Sequence, residues 1–184
     1  SRGLGDVYKR QSFGTPIQEL QPLREAVAGY LVRAAEKLRR QGQRAGGLTV
    51  FVRTSPFATG FYGNSASVRL PLASQDTAVL FQAALPLVDQ LFRPGQRFQK
   101  AGVLLQELQS LGQWQGHLFV SLSAEQRQRR ERLLALVDGL NRRYGAGTMQ
   151  WAVAGLRPAW RLRRDYLSRS YTTQWQDLPL VYAR

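Results

Sequence analysis

Leu48-Thr49-Val50-Phe51-Val52-Arg53-Thr54 and Ser65-Ala66-Ser67-Val68-Arg69-Leu70-Pro71-Leu72 are the two stretches on which the fold turns. The first is β-branched and alternating, the pattern of a strand. The second alternates small polar or charged residues with apolar ones, which describes a strand with one dry and one wet face. Ser55 to Asn64, between them, holds one Pro and two Gly and reads as a loop.

Working outward, Ser12-Phe13-Gly14-Thr15 is a short extended piece ending at Pro16. A long helix follows, with Leu20, Leu23, Val27, Tyr30 or Leu31, Ala34 and Leu38 at the three-four spacing of one buried face. Pro16 suits its first turn and Pro22 a later start, while Gly42 and the Gly46-Gly47 pair end it. A second helix is predicted from about Gln75 to Phe92, its stripe made of Val79, Leu80, Ala83, Leu87 and Leu91, with a kink at Pro86. After Pro94-Gly95, Arg97 to Leu108 forms a strand. The order β-α-β-β-α-β predicts an α+β fold, with both helices on one face of a four-stranded antiparallel sheet. The other face, carrying Arg53, Ser65, Ser67, Arg69, Arg97 and Gln99 or Lys100, stays wet.

The charge balance gives that face a partner class. The 184 residues hold 26 Lys+Arg against 12 Asp+Glu, a formal charge of +14, and nearly all the cations are Arg. The guanidinium fork matches phosphate geometry and stacks on rings, so a polyanion, above all nucleic acid, is the expected partner. Cysteine is absent and histidine occurs once, at His117, which excludes disulfides, thiolate metal sites and the usual imidazole sets. No apolar run approaches the roughly 20 residues that span a bilayer, and Ser1 to Gln11 lack the apolar stretch of a signal peptide. Those first residues, 1–11, are set aside as a linker remnant or scar. A cytosolic setting fits.

Beyond Gln109 the character changes. Residues 109–122 form an uncharged linker, and 123–184 a helical, Arg/Trp-rich tail. Ser123-Ala124-Glu125-Gln126 is a capping box opening a helix to about Arg143, with Leu133, Leu134, Val137 and Leu140 as its apolar face. Trp151, Trp160, Tyr166, Tyr171 and Trp175 are threaded through Arg. Either they stack with Arg on single-stranded DNA, or Trp151, Trp160 and Trp175 form a small second core with a solvated Arg rim. The acids Glu19, Glu25, Glu36, Asp76, Asp89 and Glu107 are scattered, without the paired spacing that holds two metals about 4 Å apart for phosphoryl transfer. No catalytic residue, metal or cofactor is assigned.

Ser12-Phe13-Gly14, Arg33-Ala34-Ala35-Glu36-Lys37-Leu38-Arg39, Thr54-Ser55-Pro56-Phe57, Asn64-Ser65 and Gln99-Lys100-Ala101-Gly102-Val103 resemble the little-finger domain of the UmuC branch of Y-family translesion DNA polymerases. The resemblance continues through Asn141-Arg142-Arg143-Tyr144-Gly145-Ala146-Gly147-Thr148, Trp160-Arg161-Leu162-Arg163-Arg164 and Tyr171-Thr172-Thr173-Gln174-Trp175-Gln176-Asp177-Leu178-Pro179. It departs at Ala146, Arg169-Ser170 and Pro86. It implies that residues 12–108 are a DNA-binding little finger of an error-prone polymerase acting in SOS mutagenesis. The palm, with its Mg2+, would lie elsewhere, so the chain alone is not expected to polymerise.

By the same resemblance, Ser12, Gly14, Arg53, Thr54, Ser65, Ser67, Arg69, Arg97, Gln99 and Lys100 contact duplex phosphates, which positions DNA without reading sequence. Gln115, Leu118 and Phe119, in Gln115-Gly116-His117-Leu118-Phe119, resemble a sliding-clamp peptide, with His117 part of that peptide and not a metal ligand. Trp160, Arg163, Arg164, Tyr171 and Trp175 are the implied contacts to a UmuD′ dimer and a recombinase filament. The alternative is a free-standing RNA- or single-stranded-DNA-binding module that reads bases through aromatics on its central strands. Phe51 and Phe98 are the candidates for that role. A small-molecule enzyme is disfavoured by the absence of a nucleophile–base pair.

Overall fold

In the computed structural model, which describes residues 7–57, 60–111 and 124–155 with 176 and 178, strands β1 (Val7–Ile17), β2 (Gln43–Thr54), β3 (Gly63–Ser74) and β4 (Phe98–Ser110) form one sheet. Their order is β1-β4-β2-β3, every pairing antiparallel. Helix α1 (Leu20–Arg40) and helix α2 (Thr77–Leu91) cover one face. This is the α+β arrangement and element order that the alternation predicts. No helix among the described residues is long and apolar enough to cross a membrane.

Strand parity builds the core. Leu48, Val50 and Val52 of β2, Ala101, Val103 and Leu105 of β4, and Leu70 of β3 point to the helices and are buried. Against them α1 lays Leu23, Val27, Tyr30, Leu31, Ala34 and Leu38, the predicted stripe. Burial pushes the Tyr30 phenol well above its ordinary value. The helix takes the later of its two possible starts, because β1 continues through Pro16 to Ile17.

Three boundaries and two faces differ from expectation. The segment set aside as a remnant contributes Val7 to Gln11 to β1, paired with β4 from Val7↔Leu105 to Gln11↔Ala101. Strand β2 begins at Gln43, running through the Gly46-Gly47 pair that was read as part of the helix stop. Strand β4 begins at Phe98, so Arg97 precedes it. The buried face of α2 is Leu80, Phe81, Ala84, Val88 and Leu91, with Val79, Ala83 and Leu87 only partly covered. That helix is apolar on nearly every side, so spacing alone does not single out one face. Pro86 sits within it, exposed.

Helix α3 (Ala124–Tyr144) shows the second departure. Of its predicted face only Leu134 is buried, while Leu133 and Leu140 are exposed. Ion pairs hold it instead. Arg39 of α1 grips Asp138 through Nε to Oδ2 at 2.6 Å and Nη2 to Oδ1 at 2.7 Å, and its Nη1 donates to Thr77 Oγ1 at 2.9 Å and to the Gln75 carbonyl at 3.1 Å. Arg44–Glu131 and Arg130–Asp76 pairs, each at 3.5 Å, flank it. Trp151, before the 3-10 turn Ala152–Ala154, packs edge-on to Phe81 at 5.8 Å. It therefore joins the main core and not a separate second one, the sequence expectation for Trp151. Trp160, Arg163, Arg164, Tyr171 and Trp175 lie outside the described residues, as does the clamp-like peptide with Gln115, His117, Leu118 and Phe119.

Asp76 caps α2, its carboxylate accepting from the Ala78 amide at 2.8 Å. Asp76→Ala is expected to lower stability by about 1 kcal/mol, read as a lower urea midpoint at unchanged m-value.

Candidate nucleic-acid interface

The helices leave the second sheet face open, and cross-strand register sets what gathers there. Ser12 of β1 lies opposite Lys100 of β4, which lies opposite Arg53 of β2, which lies opposite Gly63 of β3. This row places a hydroxyl, an ammonium and a guanidinium side by side across all four strands. Two residues along, Phe51 lies opposite Gly102 and Ser65, and next Thr49 lies opposite Leu104 and Ser67. At the far end Arg69 lies opposite Gly47. Six residues of β2 separate the two cationic ends, roughly 20 Å at strand rise. Arg53, Ser65, Ser67, Arg69 and Lys100 are all exposed, and Ser12 is half-buried.

The centre of the face is knitted by hydroxyls. Thr49 donates to Gln106 Oε1 at 2.7 Å and sits 2.8 Å from Ser67 Oγ. A hydroxyl has one proton, so Ser67 is the donor to Thr49. A phosphate met by Ser67 would therefore compete with Thr49 for that proton. Among the described residues Arg53 has no such competitor. Its guanidinium lies over the Phe61 ring, 5.5 Å from the centroid, and remains exposed.

Arg69 shares its charge. Its Nε is 3.1 Å from Glu107 Oε2. Glu107 is the one non-glycine residue at positive φ, 53°, among the described residues. In regular alternation after Ala101, Val103 and Leu105, position 107 would face the core. The left-handed step turns the Glu107 carboxylate outward and returns Leu108 to the core at 8% exposure. Gly46 makes room for it, since a Cβ there would lie 3.1 Å from Glu107 Cβ and 3.3 Å from its carbonyl oxygen. Both partners are exposed, so the pair itself adds little stability.

Four of the expected contact residues are placed otherwise. Thr54 points into the core at 5% exposure, and Tyr62 takes up its polar groups. Its amide donates to the Tyr62 carbonyl at 2.8 Å and its hydroxyl accepts the Tyr62 amide at 2.8 Å. This corrects its assignment to the phosphate-binding set. Gln99 is the residue skipped between Arg53↔Lys100 and Thr54↔Phe98, a bulge on β4. Gly14 is exposed in the bulged stretch of β1 between Ser12 and Ile17. Arg97 is exposed ahead of β4 and belongs to no cross-strand row.

Thr49, Phe51, Gln106, Glu107 and Phe61 are the face residues the sequence reading left out of the site. Period two carried the signal for Thr49 and Phe51, because they share parity with Arg53. Phe98, the other aromatic candidate, is fully buried. Four of the scattered acids have local partners: Asp89 takes the Arg24 fork at 2.6 and 2.7 Å, which raises the Arg24 pKa, Glu36 pairs with Arg40 at 2.8 Å, and Asp76 and Glu107 act as above. Among the described residues no group of three or more such side chains is placed to hold a metal ion.

The family described as impB/mucB/samB family C-terminal domain matches residues 6–118, and a domain of unknown function, DUF4113, matches 131–181. Protein UmuC of Salmonella typhimurium is 39% identical over 175 residues, covering 94% of this chain and 41% of the relative. Protein SamB of the same organism is 39% identical over 171 residues, covering 92% and 40%. Protein MucB of Escherichia coli is 36% identical over 177 residues, covering 95% and 41%. The chain thus spans about two fifths of the length of these relatives.

Among solved structures, the little finger domain of PolIV in complex with the beta-clamp processivity factor aligns with a TM-score of 0.40 at 14% identity, over 65% of this chain and 98% of that one. DinB from Sulfolobus solfataricus aligns at 0.41 and 14%, over 54% and 28%. The family match spans both cationic ends of the open sheet face, and on that match the chain belongs to the impB/mucB/samB family, of which it carries the C-terminal domain.

Proposed function

We propose that this chain is the duplex-gripping region of a UmuC-like translesion DNA polymerase, active in SOS mutagenesis in the bacterial cytoplasm. Its open sheet face would lie on the template–primer backbone. One observation carries the reading: the Ser12–Lys100–Arg53 row, with Arg69 at the far end, occupies the face that the helices leave bare. Cations and hydroxyls spread across strands hold phosphates irrespective of sequence, as a polymerase meeting arbitrary lesions requires. The palm and its Mg2+ would belong to the remaining length of such a protein. Sliding-clamp binding through Gln115, Leu118 and Phe119, and UmuD′ and recombinase contacts through the tail, rest on sequence resemblance.

The test is the salt dependence of binding. Arg53→Ala together with Lys100→Ala is expected to weaken duplex DNA binding and to lower the slope of log K against log salt by about 2, near 0.9 per phosphate lost. An unchanged slope would remove this face from duplex binding. The rival reading, a single-strand module, gains from Phe51 and Phe61 standing on the same face. Titrating single-stranded RNA and duplex DNA in one assay separates the two, with duplex expected to bind tighter.

A further inference from the structure

Resting on that reading, we infer that the β2–β3 hairpin end of the face carries a stacking site for an unpaired DNA base, built on Phe61, with Phe57 four residues earlier in the same loop. Phe61 is 50% exposed and Phe57 96% exposed. Lone exposed apolar residues are ordinary, but Phe61 is held in place. Arg53 lies over its ring, and Gly63 leaves the space its edge fills, since a Cβ at Gly63 would stand 2.9 Å from Phe61 Cζ and 3.6 Å from Arg53 Cγ.

The neighbouring ring is turned the other way. Tyr62 donates its hydroxyl to the Leu91 carbonyl at 3.0 Å and meets Phe98 edge-on at 6.1 Å. The two residues leading into β3 thus part, Tyr62 to the core and Phe61 to the basic face. Phe57 has its amide tied to Ser55 Oγ at 3.3 Å while its side chain meets solvent.

The surroundings select the ligand. The site continues the Arg53–Lys100–Ser12 row, so an occupant brings negative charge as well as a flat apolar surface. A nucleobase on a phosphodiester backbone has both. A half-covered ring with cations alongside suits base stacking, which tolerates any base. With duplex lying on the row, the unpaired template base beyond the duplex end is the group within reach.

The experiment compares three probes on the whole chain by fluorescence anisotropy: blunt duplex, duplex with a short 5′ overhang, and the same overhang with abasic sugars. The abasic probe keeps the phosphates and removes the stacking partner. Wild type is expected to bind the base-bearing overhang roughly fivefold to a hundredfold tighter than the abasic one. Phe61→Ala with Phe57→Ala should abolish that preference, while any loss through the Arg53 that Phe61 supports falls equally on the blunt, base-bearing and abasic probes. Phe61→Tyr should retain it, and thermal melts of both variants check that the sheet is intact. A wild type indifferent to the abasic change, or a preference surviving the double substitution, overturns the proposal. A wild type that fails to bind blunt duplex yet keeps the preference for the base-bearing overhang would sink the duplex reading and leave this one standing.

Discussion

Arg39→Met is expected to cost about 3–5 kcal/mol, because it leaves the Asp138 carboxylate largely buried without its cation. Arg39 and Asp138 are only 9% and 15% exposed, and the guanidinium spends three nitrogens on four acceptors. Two of those acceptors, the Gln75 carbonyl and Thr77 Oγ1, lie where β3 hands over to α2. A single side chain therefore fastens α1, the start of α2 and α3 together. Hydrogen exchange should show α3 losing protection first and the sheet amides holding. Arg39→Met combined with Asp138→Leu should recover a good part of the loss, since an apolar pair replaces a buried ion pair at little cost. A single variant within about 1 kcal/mol of wild type would mean that α3 is held by other contacts, on the scale of ordinary surface changes.

Phe98→Ala is expected to cost a similar amount, about 3–5 kcal/mol, through the cavity left by a fully buried ring. Phe98 opens β4 at the point where β1 and β2 meet it, opposite Ile17 and Thr54. Its ring contacts Tyr62 at 6.1 Å and Phe92 at 5.8 Å. The bulge at Gln99 lies between Phe98 and the Lys100 row, so this packing fixes the register that sets Lys100 between Arg53 and Ser12. Chemical denaturation measures the stability loss. Duplex affinity measured well below the unfolding transition should fall as well, through a loosened row. Affinity unchanged in the folded variant would mean that the row keeps its register without the ring.

Much of this was legible residue by residue. Parity along Leu48 to Thr54 and Ser65 to Leu72 is a local property, so the dry and wet faces of β2 and β3 could be read directly. The same parity places Thr54 inward with Leu48, Val50 and Val52, against the phosphate contact that the family resemblance implies there. Gln99 and Glu107 escaped because a bulge and a left-handed step each break the alternation by one residue, and neither leaves a clear mark in composition. Gly46 is the local mark of the second, because it lies within β2 and clears Glu107, and does not stop the helix. For α3 the apolar spacing pointed to a face that Arg39 and Asp138, 99 residues apart in the chain, do not present to the core.

The chain's own residues settle the α+β order, the apolar helix stripe of α1 and the basic, hydroxylated character of the open face, because burial parity and turn chemistry act over a few neighbours. Only the folded sheet decides which cations meet. Ser12, Lys100 and Arg53 become neighbours through strand register, and register is set by packing across the core between segments that share no local signal.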